Sequence, residues 1–393
     1  MNNYKYLIIG GGITSLSAAA GIRQRDPKGS VGIISAESNL PYARPPLSKG
    51  LWQGATLDSI WLKQEAQQVE LMLRRRVLSI DTRARTVTDS QKGTTSFDRL
   101  LIATGSHPKP LPFGGNHIIY FRTLDDYRKL RALADEKRRF AIIGGSFLAA
   151  ELAAGLVAQG RQVVMIFPEP GIFGRLLPLE LAQVLNTMFI EHGVEVRPDE
   201  TATDLKVQDE QFTIMNQRFH VSATADVVLS GAGNEPELDL ASQAWLTTGD
   251  GLRVDEYLRT SIPTIFAAGD VAEFPSPQLG RRVRVDHEDN ARAMGRQAGL
   301  IMAGERKPFN YIASYSTGFF GFGFEVVGDV SPQYQTVAQW RVPNQEGIVY
   351  FLDGGRVRGV LFWNIKSDLE AARQLISQIR PVQPQELLGR IPV

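Results

Sequence analysis

Apolar residues in this chain come in short runs that break off at glycine. The first run, in YLIIGGG at 6–12, passes into the alanine-rich stretch ITSLSAAAGI and then a second apolar run in GSVGIISAE at 29–37. The same order returns at 140–156, FAIIGGSFLAAELAAGL, followed by QVVMIFPE at 162–169. Short apolar runs bounded by glycine have the length of buried strands, and the alanine-rich stretches between them suit helices. Each copy predicts strand, glycine turn, helix and second strand, the unit that holds one mononucleotide half. Three further runs end in small residues: LLIATGSHP (100–108), VVLSGAGNEP (227–236) and TIFAAGDVAEF (264–274). After about residue 306 the pattern turns to aromatic and β-branched strands, VVGDV, GIVYFL and VRGVLFWNI, with a DGG turn at 353–355. Leu369, Ala372, Leu375, Ile376 and Ile379 then share one face of a helix.

The glycines have a chemical reason. Without a Cβ the backbone can approach a pyrophosphate, and the helix N-terminus turns free N–H groups and a positive dipole toward it. The first copy supplies Gly10 and Gly12, with Ser15 where a third small residue packs helix on strand. The second supplies Gly144, then Ser146 at the central position and Ala149 at the third. The central position faces the pyrophosphate, so Ser146 predicts weaker binding there. Asp270 closes an apolar run at a strand end, where ligands of open α/β sheets sit.

Composition narrows the field. A chain of 393 residues exceeds what one core usually serves, so two or three domains are expected. A net charge of +1 gives no support to a nucleic-acid partner. There are no cysteines, which excludes disulfides, Cys-ligated zinc or iron–sulfur centres, and thiol redox chemistry within the chain. The start reads as a buried strand rather than a signal peptide, and no run reaches the roughly 18 apolar residues of a membrane span. A soluble, cytoplasmic protein is expected. Asp286, His287, Glu288 and Asp289 look metal-like by type, but four consecutive residues cannot all face one ion, so no metal is assigned.

Taken in order, PYARPPLSKGLW, GGSFLAAELA, FPEPGIFGRLLP, AAGDVAEF, LGRRVRVDHEDNA and VRGVLFWNI resemble the FAD-dependent pyridine nucleotide oxidoreductases. The resemblance is closest to apoptosis-inducing factor and the oxygenase-type ferredoxin and rubredoxin reductases. It implies an α/β fold with two Rossmann-like dinucleotide-binding domains, glutathione-reductase-like, plus a C-terminal α/β interface domain. The FAD domain would be discontinuous, 1–113 and 234–305; the NAD(H) domain would be 114–233 and the interface domain 306–393. The short link expected at about 331–347, where the mitochondrial apoptosis-inducing factor carries a long insertion, suggests a compact prokaryote-type relative.

The resemblance also assigns roles. Lys49 stands where thiol-dependent relatives carry a redox cysteine beside the flavin, and would pair there with Glu151. Phe147 would cover the flavin face and swing aside for nicotinamide, and Trp363 would lie near the isoalloxazine. Gly10, Gly12, Ala103 and Gly105 would approach FAD. Arg44 would reach its phosphates or ribose, Asp270 its ribityl chain, and Glu288 its edge. Glu37 is assigned to the FAD ribose, although Ala36 occupies the expected place. Gly144, Ser146, Gly233, Glu169 and Arg175 would bind NAD(H). A carboxylate at Glu169 accepts from a ribose 2′-OH and repels a 2′-phosphate, which favours NADH. The stretch YSTGFFGFGFEVVG (315–328) departs from the aromatic–tryptophan–serine–aspartate motif of the subgroup.

With FAD and NAD(H) as cofactors, the expected activity is hydride transfer from NADH to FAD and onward electron transfer to an external acceptor. That acceptor would be a ferredoxin or rubredoxin, a quinone, or oxygen, and Arg281, Arg282 and Arg284 are candidates for meeting an iron–sulfur protein. The alternatives are a slow redox sensor acting through a charge-transfer complex and a homodimer, or a FAD-binding protein with impaired NADH use.

Overall fold

The computed structural model describes residues 2–62 and 69–393. The chain divides into two compact units: Met1–Ala43 with Leu57–His107 and Glu235–Ser314, and Arg44–Thr56 with Pro108–Asn234 and Tyr315–Val393.

In the first unit, strand Asn2–Ile9 lies parallel between Val31–Ile34 and Thr94–Ile102, with Ile9 opposite both Ile34 and Ile102. Glu70–Met72 extends the sheet beyond Val31–Ile34. Thr86–Asp89 and Val77–Asp81 add antiparallel strands beyond Thr94–Ile102, whose other end pairs in parallel with Ile265–Ala267. Leu7, Ile8, Leu100, Leu101 and Ile102 are fully buried. A sheet covered on both faces needs continuous apolar runs rather than alternation, which is the pattern the sequence shows. The strands Asn2–Ile9, Thr94–Ile102 and Ile265–Ala267 end side by side, and Gly10, Ala103 and Gly269 follow at that edge. Helix Ile13–Arg25 packs on helix Glu288–Met302 almost backbone to backbone. A Cβ on Gly295 or Gly299 would collide with the carbonyls of Thr14 and Ala18.

In the second unit, five parallel strands run in the order Val194–Arg197, Gln162–Ile166, Arg139–Ile143, Val227–Ser230, Ile118–Tyr120. A three-stranded antiparallel sheet, Ala202–Gln208, Gln211–Asn216 and Val221–Ala225, adjoins it. A separate five-stranded sheet follows in the order Ser314–Phe319, Phe322–Gly328, Arg356–Trp363, Glu346–Asp353, Gln335–Val342. Within the link expected at 331–347, Gln335–Val342 forms an edge strand. Its residues QTVAQWRV are half-exposed, so no clean apolar alternation marked it. Helix Leu369–Ser377 begins at Asp368, whose side chain accepts from the Ala371 N–H at 3.0 Å. Ala372, Leu375 and Ile376 are buried as the spacing predicted, but Ile379 lies past the helix end and is exposed.

Candidate functional site

Both glycine turns have the shape the sequence predicts. Gly10 has φ +121° and Gly144 has φ +133°, values that side chains beyond glycine rarely adopt. A Cβ on Gly10 would collide with the Ala103 carbonyl, and one on Gly144 with the Gly231 carbonyl. The helices that follow, Ile13–Arg25 and Phe147–Ala158, start at Gly12 and Ser146 with no side-chain cap. Helix Leu124–Glu136 shows the contrast: Thr123 and Asp126 close its N-terminus with a reciprocal capping box. Among the described residues no side chain caps either glycine-turn helix, so these N-termini fit a dinucleotide pyrophosphate.

Around the first turn, the Ser106 hydroxyl donates to Asp270 at 2.9 Å, and Gly105 and Gly269 both take positive φ. Tyr42 donates to Glu37 at 2.6 Å, which fixes a half-buried carboxylate beyond strand Val31–Ile34. Ser15 is fully buried on the helix, and its hydroxyl has no hydrogen-bond partner among the described residues.

Around the second turn, the Ser146 hydroxyl donates to the Gly231 carbonyl at 2.8 Å. The side chain expected to face a phosphate donates instead to the residue that follows strand Val227–Ser230. Ala149 is fully buried and packs against Gly231, as a third small position should. Gly233 has φ +102°, and its carbonyl accepts from the Lys109 N–H at 2.9 Å. Glu169 and Arg175 form an ion pair in which the guanidinium is largely exposed and the carboxylate is not.

The PPLSKGLW stretch lies in the second unit. Its two short 3₁₀ turns, Pro45–Leu47 and Gly50–Trp52, flank Lys49. Trp52 is the anchor. Its indole N–H donates to the Leu47 carbonyl at 2.8 Å, and its ring meets Tyr127 edge-on at 5.8 Å. The ring also lies against Gly155, where an added Cβ would come within 2.9 Å of it. Arg44 donates to the Arg122 carbonyl at 2.8 Å. Thus held, Lys49 Nζ stands 3.2 Å from Glu151 Oε1 and donates to the Ser316 carbonyl at 2.9 Å. Glu151 is only 7% exposed, on the helix Phe147–Ala158. Ser48 donates to its Oε2 at 2.6 Å and Thr317 to its Oε1 at 2.9 Å. A buried carboxylate is costly without such partners, and here three groups from two separate segments supply them.

Phe147, the first residue of that helix, meets Phe173 at 4.6 Å, Tyr315 at 5.4 Å and Phe324 at 6.0 Å between ring centroids. Trp363 is fully buried; it stacks on Phe324 at 5.5 Å, and its N–H donates to the Asn344 carbonyl at 3.1 Å. The stretch 315–328 is a strand pair turning at Phe320 and Gly321, and its phenylalanines join this aromatic cluster. A cleft of about 1080 Å³ in the same unit is lined in part by Ser316, Thr317, Phe324, Asn364 and Lys366.

Glu288 opens the helix Glu288–Met302 and accepts from Arg292 at 3.0 Å, one turn on. Asp289 accepts from Tyr311 and from the Ser314 N–H at 2.8–2.9 Å. Among the described residues no three His, Asp or Glu side chains form a metal cluster. Arg282 pairs with Glu273 at 3.0 Å and Arg284 approaches Asp250 at 3.4 Å, while Arg281 and Arg282 stay exposed on the small sheet of Leu252–Arg253, Ala272–Ser276 and Arg281–Val283. Sequence reasoning missed Ser48, Thr317 and Phe173. Ser48 adjoins a singled-out lysine, and Thr317 lies in a stretch noticed only for what it lacks. Among the described residues no helix is long and apolar enough to cross a membrane.

The profile of the pyridine nucleotide-disulphide oxidoreductase family matches residues 4–295. The chain is 27% identical to putidaredoxin reductase of Pseudomonas putida, covering 98% of this chain and 94% of that protein. It is 30% identical to the ferredoxin–NAD(+) reductase component of the anthranilate 1,2-dioxygenase system of Burkholderia cepacia, covering 97% and 96%. It is also 29% identical to mitochondrial apoptosis-inducing factor 1 of Dictyostelium discoideum, covering 98% and 80%. Among solved structures, the covalent putidaredoxin reductase–putidaredoxin complex matches with a TM-score of 0.90 at 27% identity, covering 98% of this chain and 95% of that one. With the paired glycine turns and the open helix N-termini, these likenesses carry one conclusion: the chain belongs to the pyridine nucleotide-disulphide oxidoreductase family, as an NAD(P)H-dependent oxidoreductase with FAD and NAD(H) as cofactors.

Proposed function

We propose that this chain takes hydride from NADH at FAD and delivers the electrons to a small iron–sulfur or rubredoxin-type protein. The observation that carries the reading is likeness along nearly the whole length to reductases named for such partners, in a chain with no cysteine of its own. Without a thiol, electrons must leave for an external acceptor.

When bound, FAD accepts a hydride and releases electrons singly or in pairs. Gly10, Gly12, Ala103 and Gly105 would hold it through close backbone approach, with Arg44, Glu37, Asp270 and Glu288 as polar contacts and Trp363 as apolar support. Gly144, Ser146, Gly233, Glu169 and Arg175 would hold NAD(H), and Phe147 would bound the nicotinamide site. The corresponding domains are 1–113 with 234–305 for FAD, 114–233 for NAD(H), and 306–393 for the interface. Lys49, kept in place by Glu151, supplies a fixed positive charge where reduction adds negative charge. Glu169 would accept from the 2′-OH of the NADH adenosine ribose and repel a 2′-phosphate, with its ion-pair partner Arg175 beside the adenosine.

A second reading, a slow NADH-responsive sensor, draws on the likeness to apoptosis-inducing factor. An anaerobic NADH titration of the yellow protein, followed by turnover with ferredoxin, rubredoxin, a quinone or oxygen, separates the two. Fast bleaching with fast turnover on a redox protein supports the reductase. Bleaching with poor turnover on every acceptor and a change to a dimer supports the sensor. A spectrum unchanged at saturating NADH rejects both.

A further inference from the structure

We propose that Thr317, together with Ser48, is a positioning residue for the Lys49–Glu151 pair. The inference rests on the reading of that pair as part of the hydride-transfer site. Glu151 Oε1 receives two donors, Lys49 Nζ at 3.2 Å and the Thr317 hydroxyl at 2.9 Å, while Ser48 holds Oε2 at 2.6 Å. With both oxygens tied, the carboxylate cannot rotate about its last bond without breaking a hydrogen bond in a buried site. That locks the oxygen facing Lys49 in place. The backbone of the same strand fixes the ammonium from the other side, since Lys49 also donates to the Ser316 carbonyl at 2.9 Å.

Strand geometry makes this double grip possible. Side chains alternate along Ser314–Phe319. Tyr315, Thr317 and Phe319 make the contacts to Phe147, Glu151 and Phe173 respectively, while the intervening Ser316 side chain is exposed and offers only its carbonyl. Thr317 is 5% exposed, so water does not readily replace its hydroxyl. Substituting valine keeps the shape and deletes the donor. The Oε1 then depends on Lys49 alone, Ser48 is left as the one hydroxyl holding the carboxylate, and the counter-charge beside the ammonium is less firmly fixed.

The test compares Thr317→Val, Thr317→Ser, Ser48→Ala and Lys49→Ala holoproteins in stopped-flow reduction by NADH. Labelling of Lys49 by an acetylating reagent, read by mass spectrometry on the same proteins without NADH, gives a second readout. The expected result for Thr317→Val is a limiting reduction rate down about tenfold with the half-saturating NADH concentration within about twofold. Its Lys49 labelling should rise severalfold, and Thr317→Ser should restore both. Ser48→Ala should fall between. If Lys49→Ala slows reduction but Thr317→Val matches the wild type in rate and labelling, the positioning role is wrong. If valine and serine are equally impaired, the effect is packing and the role is again wrong. If Lys49→Ala itself reduces at the wild-type rate, the reading of the pair beneath this inference fails.

Discussion

The two glycine turns share a plan and differ in what their helices carry. At the first, Gly12 opens a helix whose face is given over to close packing: an added Cβ on Gly295 or Gly299 of the neighbouring helix would strike its backbone. At the second, Ser146 opens a helix that brings a phenylalanine and a buried glutamate into a cluster of aromatic rings, hydroxyls and one ammonium. The same backbone device thus serves a tightly packed holding site in one place and an array of charged and polar side chains in the other. Phosphate recognition uses N–H groups that every residue but proline has, so side chains along the helix are free to diverge.

The sharpest break of this comparison is at the glycines. Gly10→Ala combines a strained φ with a backbone collision, a cost on the order of 3 kcal/mol. The protein should purify colourless or unstable, and a yellow variant with wild-type flavin content would refute the first turn's role. Gly144→Ala carries the same strain in the second unit and should stay yellow while losing its response to NADH. Loss of flavin from both variants alike would erase the proposed division of labour.

Next in size is the charged pair. Lys49→Ala should slow flavin reduction by about 10²-fold, the usual cost of one preorganised electrostatic group, with flavin content unchanged. An unaltered rate would remove Lys49 from the site.

Ser146→Ala deletes one hydrogen bond, to Gly231, worth about 1 kcal/mol of stability. Because that hydroxyl is already committed to the Gly231 carbonyl, NADH affinity should move by less than about threefold. A large gain in affinity would show that the serine obstructs the phosphate after all.

The smallest effect lies far from either turn. Asp26 receives Lys5 and Tyr6, and the Lys5 ammonium is the main cause that draws its carboxyl down to about 2. A carboxyl depressed on folding adds stability above its ordinary value near 3.8, and that stability fades as pH falls toward about 2. Asp26→Asn should therefore lower the melting temperature slightly near neutrality and converge with the wild type as pH falls toward about 2; equal loss at all pH values would point to packing instead.

Much of this was legible in the chain. The strands that end at Gly10 and Gly144 are continuous apolar runs because parallel sheets bury both faces. The glycines are bound to their places by positive φ and close approach. Strand Gln335–Val342 was hidden because an edge strand with half-exposed residues keeps neither apolar run nor alternation. The ion pairs of Arg282 with Glu273 and of Arg284 with Asp250 were hidden because sequence spacing cannot show which acid lies across from which arginine.

By itself the sequence determined the two dinucleotide turns, the lack of any thiol and the pairing of Lys49 with Glu151 through its resemblance. Those depend on local backbone geometry and residue type, which neighbours along the chain specify. Only the tertiary structure decided that Ser146 turns to Gly231, that Trp52 anchors the lysine segment, and that Ser48 and Thr317 hold Glu151 from both sides. Thr317 lies 166 residues from Glu151 along the chain. A hydroxyl's partner is set by which surfaces meet when sheets and helices pack, and no local spacing encodes that meeting.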